Sequence, residues 1–218
     1  MGCPRNLVDS ESILGRLRAK GYKIVDIQDA DIGLVNTCSF IDEAKKESVD
    51  AILDLVELKK EGRLKKIIVA GCLSQRYKGE LLSNLPEVDA FVGRLEFEDG
   101  LSYKKYPLTA AHTGYLKISE GCNHSCSFCV IPKIKGRLKS RAAESIIEEV
   151  KRWDEEKKAE INIIGQDISM YGLDIDKKLA LSSLLTKIIG ALNNVRWLRL
   201  LYLHPEILTP DLIRLIAQ

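Results

Sequence analysis

The stretch Gly121-Cys122-Asn123-His124-Ser125-Cys126-Ser127-Phe128-Cys129 places three cysteines in eight residues at C-x3-C-x2-C spacing. Thiolates are the soft ligands that hold iron-sulfur clusters, and a cubane cluster is ordinarily held by four of them. Three on one short loop, with no fourth at matching range, leave one iron open to a ligand that is not protein. An open coordination position is what lets a metal centre take part in chemistry rather than only brace a fold. His124, between two of the cysteines, is the other ligand type on the loop.

The remaining cysteines, Cys3, Cys38 and Cys72, recur at intervals of 35 and 34 residues. Six cysteines in a secreted domain would first suggest three disulfides, whereas in a reducing compartment the same count points to metal or catalysis. No apolar run approaches the roughly 20 residues of a membrane span and no secretory leader pattern opens the chain, so a cytoplasmic protein is expected. The 33 basic and 31 acidic residues among 218 nearly cancel, to +2. No overall basic field marks a nucleic-acid binder.

Helix and strand signals show how these residues would be positioned. Residues 9–21 suit a helix capped by Asp9 or Ser10 and stopped by Gly21. Residues 22–27 and 32–37 suit strands, 42–60 an amphipathic helix, and 66–71 a buried parallel strand. A short helix at 80–84 and a strand at 90–92 follow. Such βα alternation predicts an open parallel sheet covered by helices. Cys38 and Cys72 then fall just past the carboxyl ends of strands, the edge where open α/β sheets bind ligands. Cys3 lies before a helix with no strand ahead of it, so a first strand is expected to be missing and Cys3 to be held less firmly. Three separately buried small hydrophobes are the plainer alternative.

Residues 94–114 are polar and aperiodic, a linker between a domain at 1–93 and another at 115–218. Residues 115–119 form a strand running into the cysteine loop. Lys133, Lys135, Arg137, Lys139 and Arg141 follow at alternate positions, either as a solvated loop or as a basic wall toward a carboxylate-bearing ligand. A helix at 145–158, with Ile146, Ile147 and Val150 inward and Glu148 and Glu149 outward, precedes a strand at 161–164 that ends in Gly165-Gln166-Asp167. A helix at 181–192, a strand at 197–203 ending at His204 and a helix at 210–217 complete three βα units. Repeated units of this kind build a (β/α) barrel with its active site at the carboxyl ends of the strands, where the cysteine loop, Gly165-Gln166-Asp167 and His204 all fall. The roughly hundred residues from Tyr115 on suffice for about half of a 250-residue barrel. The expected architecture is therefore an open parallel-sheet domain followed by the first half of a partial barrel, in a chain cut at its carboxyl end and also at its start.

In this company the C-x3-C-x2-C loop, with an aromatic before its last cysteine, resembles the hallmark of the radical S-adenosylmethionine superfamily. Gly2-Cys3-Pro4-Arg5-Asn6-Leu7-Val8-Asp9-Ser10-Glu11, Asn36-Thr37-Cys38 and Ala70-Gly71-Cys72-Leu73 followed by Gln75-Arg76-Tyr77 resemble the amino-terminal domain of its methylthiotransferases. Phe40-Ile41-Asp42-Glu43-Ala44-Lys45, Gly165-Gln166-Asp167 and Leu200-Leu201-Tyr202-Leu203-His204-Pro205 look more like the branch that modifies a ribosomal protein than the branch that modifies tRNA. The resemblance implies two [4Fe-4S] clusters. Cys122, Cys126 and Cys129 would hold the one that chelates S-adenosylmethionine and reductively cleaves it to a 5'-deoxyadenosyl radical; Cys3, Cys38 and Cys72 would hold the one that carries the sulfur. The target it implies is the β-carbon of an aspartate in a small-subunit ribosomal protein, with tRNA as the alternative substrate, a reducing electron donor as partner and a monomeric chain. Phe128 would pack near the adenine, and Gly165 with Gln166 would contact the methionine portion. Core packing is the alternative for Phe128 and a tight turn for Gly165, and His204 is given no role. A rival of another class is a zinc-stabilised binding module with His124 as fourth ligand to the loop cysteines.

Overall fold

The computed structural model describes residues 2–94 and 104–217; residues 95–103, within the expected linker, lie outside the described residues. They form two compact units, one drawn largely from residues up to 94 and one from Pro107 onward.

In the first unit α1 (Pro4–Ala19) leads into β1 (Ile32–Thr37), α2 (Asp42–Lys60), β2 (Lys66–Gly71), α3 (Cys72–Asn84) and β3 (Ala90–Phe91). The strands lie parallel in the order β1-β2-β3. The β-branched run of β2 buries Ile67 and Val69 completely, against Val35 of β1 and Ile52 and Val56 of α2. Each such side chain contributes about 1.5–3 kcal/mol through burial. Three expectations fail here. The first helix begins at Pro4, not near Asp9, because proline suits the first helical turn, where no intrahelical partner awaits its missing N–H. Ser10 is then interior, and its hydroxyl donates back to Asn6 O (3.0 Å). Residues 22–27 form no strand: Tyr22, Val25 and Ile27 are exposed, and β1 pairs with β2 alone among the described strands. The helix expected at 80–84 starts eight residues earlier, at Cys72, and kinks at Tyr77.

In the second unit β4 (Thr113–Lys117) is followed by the short β5 (Ser119–Glu120), the cysteine loop, the five-residue α4 (Ile131–Lys135) and β6 (Lys139–Ser140), which pairs antiparallel with β5. Then come α5 (Ala143–Glu155), β7 (Glu160–Ile164), α6 (Leu181–Ala191), β8 (Trp197–Leu200) and α7 (Pro210–Ile216). β4, β7 and β8 form a parallel sheet in that order, and Leu116, Ile161 and Ile163 pack with Ile146, Val150, Leu184 and Ile188 in its core. β8 stops short of the expected residue 203, and Tyr202 beyond it adopts φ 67°. Of the alternating cations, Lys133, Arg137 and Lys139 are exposed. Lys135 and Arg141 are buried, and the Arg141 guanidinium donates to Glu149 Oε2 (2.7 Å), Lys117 O (3.0 Å) and Ser145 Oγ (2.9 Å). Glu149, expected to face solvent, is therefore 2% exposed. A buried carboxylate is tolerated when a guanidinium neutralises it.

The turn into β8 is organised by Asp154 near the end of α5. Its Oδ1 accepts the backbone N–H groups of Asn194 (2.7 Å), Asn193 (2.9 Å) and Val195 (3.2 Å). With the Asn194 N–H as the largest contributor, these donors outweigh the opposing effect of desolvation and hold the carboxyl at about 2. A depressed pKa stabilises the fold above the unfolded value, about 3.9, and that stability is lost as pH falls through about 2. Denaturant midpoints between about pH 4 and 2 should accordingly fall more steeply for the parent than for Asp154→Asn; parallel slopes would contradict this reading of Asp154.

Candidate cluster sites at the strand ends

In the first unit the register aligns Thr37 with Gly71, so Cys38 and Cys72 are the next residues on neighbouring strand ends. Gly71 (φ +97°) makes the alignment possible, since a Cβ there would lie 2.4 Å from Asn36 Oδ1 and 2.5 Å from Thr37 O. Ser48 of α2 fixes the Cys38 backbone, its hydroxyl accepting from Cys38 N–H and donating to Cys38 O (3.0 Å each). Cys3 reaches the same edge through α1. Asn6 Nδ2 donates to Asn36 O (3.2 Å) and Asn36 Nδ2 to Asn6 O (3.0 Å), and a Cβ on Gly2 would stand 3.4 Å from Cys38 Sγ. Burial alone would raise the Cys3 thiol. The Arg5 guanidinium, whose Nε donates to Cys3 Sγ at 3.5 Å, and nearby backbone N–H groups overcome that and hold it below the usual thiol value.

In the second unit the cysteine loop leaves β5 at Gly121 (φ +74°). Cys122 N–H donates to Gly136 O (3.1 Å), Leu138 N–H to Asn123 Oδ1 (3.1 Å), and Cys129 N–H closes a turn on Cys126 O (3.0 Å). All three loop thiols are free, and Cys126 is exposed. Burial raises the Cys122 thiol, and Asp167, Cys129 and Cys126 add to the rise against an opposing N–H from His124. A bound cation would offset the like-charge contributions at Cys122. Among the described residues no three His, Cys, Asp or Glu side chains are drawn into a ready-made ion-binding group. The donor set nevertheless fits an iron-sulfur cluster in chemistry: three free soft ligands on one loop, and three more at one sheet edge.

The expected S-adenosylmethionine contacts lie at the neighbouring strand ends. The Phe128 ring is 87% exposed, which excludes the core-packing alternative. Gly165 is not a positive-φ turn. A Cβ there would meet Ser119 Oγ at 2.6 Å, so this glycine allows β5 to approach the end of β7. Gln166 Nε2 donates to Glu120 Oε1 (3.3 Å), and Glu120 forms a buried ion pair with Lys117. Gln166 Oε1 and Ser119 Oγ are buried without a partner among the described residues. Buried polar atoms left unpaired are costly, and here they fit a polar ligand.

Sequence reasoning gave Asp167 and His204 no role. His124 Nε2–H donates to Asp167 Oδ2 (2.7 Å), and the His124 and His204 rings stack at 4.4 Å and 22°. The signal available beforehand was that the cysteine loop, Asp167 and His204 all fall toward the carboxyl ends of the strands.

Two family models divide the chain. One described as "Uncharacterized protein family UPF0004" matches residues 1–93, and one described as "Radical SAM superfamily" matches residues 116–218. Curated relatives include ribosomal protein uS12 methylthiotransferases RimO. That of Solibacter usitatus is 43% identical over 240 residues, covering 100% of this chain and 52% of the relative. That of Clostridioides difficile is 40% identical over 243 residues (100% and 54%), and that of Geobacter sulfurreducens 43% over 242 (99% and 54%). The chain spans about half the length of the curated relatives it matches. Among solved structures, the radical S-adenosylmethionine methyltransferase TsrM from Kitasatospora setae superposes with a TM-score of 0.61 at 12% identity, covering 96% of this chain and 54% of that one. A second structure of TsrM, with cobalamin and a [4Fe-4S] cluster bound, gives 0.60 at 13% identity, covering 96% and 55%. At that identity the likeness is one of fold.

Proposed function

We propose that this chain belongs to the radical S-adenosylmethionine methylthiotransferase family and takes part in methylthio transfer to ribosomal protein uS12, a reading supported by the two family-model matches and by 40–43% identity to curated relatives of which it spans about half. The target we propose is the β-carbon of an aspartate. The observation that supports this best is the presence of two separate sets of three cysteines outside any disulfide, one on the loop that leaves β5 and one at the edge where β1 and β2 end.

Cys122, Cys126 and Cys129 would hold a [4Fe-4S] cluster with one iron left to S-adenosylmethionine. Phe128, Gly165 and Gln166 would hold the rest of that molecule: the exposed ring offers a stacking face, Gly165 leaves room, and the free Gln166 Oε1 accepts from a donor. When bound, the pair supplies the electron and the radical chemistry that open an unactivated carbon-hydrogen bond. Cys3, Cys38 and Cys72 would hold a second [4Fe-4S] cluster, the site of the sulfur to be transferred, with the Arg5 guanidinium offsetting thiolate charge beside Cys3. The domain division we propose is a methylthiotransferase domain at 1–93, a linker at 94–114 and a radical domain from 115. A reducing donor must supply electrons. No helix among the described residues is long and apolar enough to cross a membrane.

The test is anaerobic incubation of the iron- and sulfide-reconstituted protein with reductant, S-adenosylmethionine and either uS12 or tRNA, followed by mass analysis. Added methylthio mass on an aspartate-containing uS12 peptide is expected. Modification of tRNA alone would overturn the substrate, and absence of 5'-deoxyadenosine would overturn the radical reading.

A further inference from the structure

The cysteine loop is tied down in two ways. Its base is fixed to the β5–β6 hairpin through Cys122 N–H to Gly136 O and Leu138 N–H to Asn123 Oδ1, both short-range links. Its body, from Ser125 to Phe128, is exposed. Between base and body stands His124, whose Nε2–H reaches 43 residues along the chain to Asp167 Oδ2 (2.7 Å).

Asp167 is itself firmly placed. It is 5% exposed, and its Oδ1 accepts both the backbone N–H (3.0 Å) and the hydroxyl of Ser169. Ser169 Oγ in turn accepts His204 N–H (3.2 Å), and the His204 ring covers His124. The imidazole is thus held at its edge by the residue beyond β7 and on its face by the residue beyond β8. A hydrogen bond to a buried carboxylate is among the stronger neutral-to-charged contacts, because little water competes for it. It also commits Nε2, so His124 is not free to act as an additional metal ligand through that nitrogen.

We propose that Asp167 is a positioning residue: through His124 it sets the orientation of the Cys122–Cys129 loop on the strand ends, and so the direction in which the open iron meets S-adenosylmethionine. The proposal rests on the reading that this loop holds the radical cluster. Residues beyond the first ligands ordinarily fix ligand orientation at metal centres, and their loss costs affinity or activity rather than metal alone. The path here runs from one barrel strand end to a loop on another, which no local motif reveals.

The experiment compares the full chain with Asp167→Asn, His124→Ala and the double variant. Without metal, amide hydrogen exchange of residues 122–129 is expected to quicken about tenfold in either single variant, with β4 and β7 amides unchanged. After anaerobic reconstitution, iron content is expected to match the parent. Binding of S-adenosylmethionine should weaken about tenfold, and the change it causes in the reduced cluster's EPR spectrum should become heterogeneous. The double variant should resemble His124→Ala, because Asp167 reaches the loop only through His124. Unchanged loop exchange and EPR response would overturn the proposal, as would additive effects or exchange quickened uniformly through the unit. If the parent binds no iron, the cluster reading fails by itself, and the exchange result still decides whether Asp167 pins the loop.

Discussion

Cleavage of S-adenosylmethionine to 5'-deoxyadenosine falls to background when Cys122, Cys126 or Cys129 is replaced by alanine, and stays within about twofold of the parent when Cys38 or Cys72 is replaced. That is the expected outcome if the two cysteine sets are chemically independent. Cys38 and Cys72 follow a register pair in the first sheet, while the loop cysteines hang from β5 in the second unit. Removing a thiolate from the first set leaves the other set's ligands, fold and repulsions intact. If the proposed function holds, methylthio transfer requires both sets and should be lost in every one of these variants. Chromatography of 5'-deoxyadenosine beside mass analysis of uS12 separates the two readouts. Loss of both activities in Cys38→Ala and Cys72→Ala would contradict independence.

Gly121→Ala is expected to be among the most damaging single changes in the second unit. Gly121 has φ +74°, a conformation that costs a residue with a Cβ about 1–2 kcal/mol. The new Cβ would also lie 2.1 Å from Arg137 O and 2.7 Å from Gly136 O. These are backbone atoms of the hairpin that pairs Ser119 with Ser140 and Glu120 with Lys139, so they cannot swing aside as a side chain would. Strain and displacement together should cost about 3–5 kcal/mol and detach the base of the cysteine loop. Gly79→Ala is the control. It lies in α3 with nothing within 4 Å of its would-be Cβ, and should raise stability by about 0.5–1 kcal/mol. Denaturant midpoints of the two variants, with iron uptake for Gly121→Ala, check the pair. A Gly121→Ala protein that folds and takes up iron as the parent does would show that the loop does not need this turn.

What could be read from the chain was governed by whether the signal is local. The runs at 66–71 and 161–164 are β-branched and bounded by glycine, and both are strands. Cys38 and Cys72 then fell at strand ends by counting alone. The misreadings arise where a distant partner decides. Tyr22–Ile27 has strand composition, but a strand needs a neighbour, and none pairs there among the described residues. Glu149 follows the polar side of a helical pattern, and only the inward turn of Arg141 makes its burial tolerable. Asp9 and Ser10 are good capping residues, yet Pro4 starts the helix earlier. The His124, Asp167 and His204 assembly depends on three segments meeting at one edge, and nothing in the spacing of those residues encodes a ring stack. The orphaned Gln166 Oε1 likewise became visible only once its neighbours were placed.

The central claim is that six cysteines in two sets hold two clusters, one for radical chemistry and one for sulfur. Iron and acid-labile sulfide counted per chain on anaerobically prepared protein test it most directly. The account predicts about eight of each, falling to about four when either set is replaced by alanine. A parent value of about four that Cys38→Ala and Cys72→Ala leave unchanged, or a colourless protein carrying zinc, would contradict it.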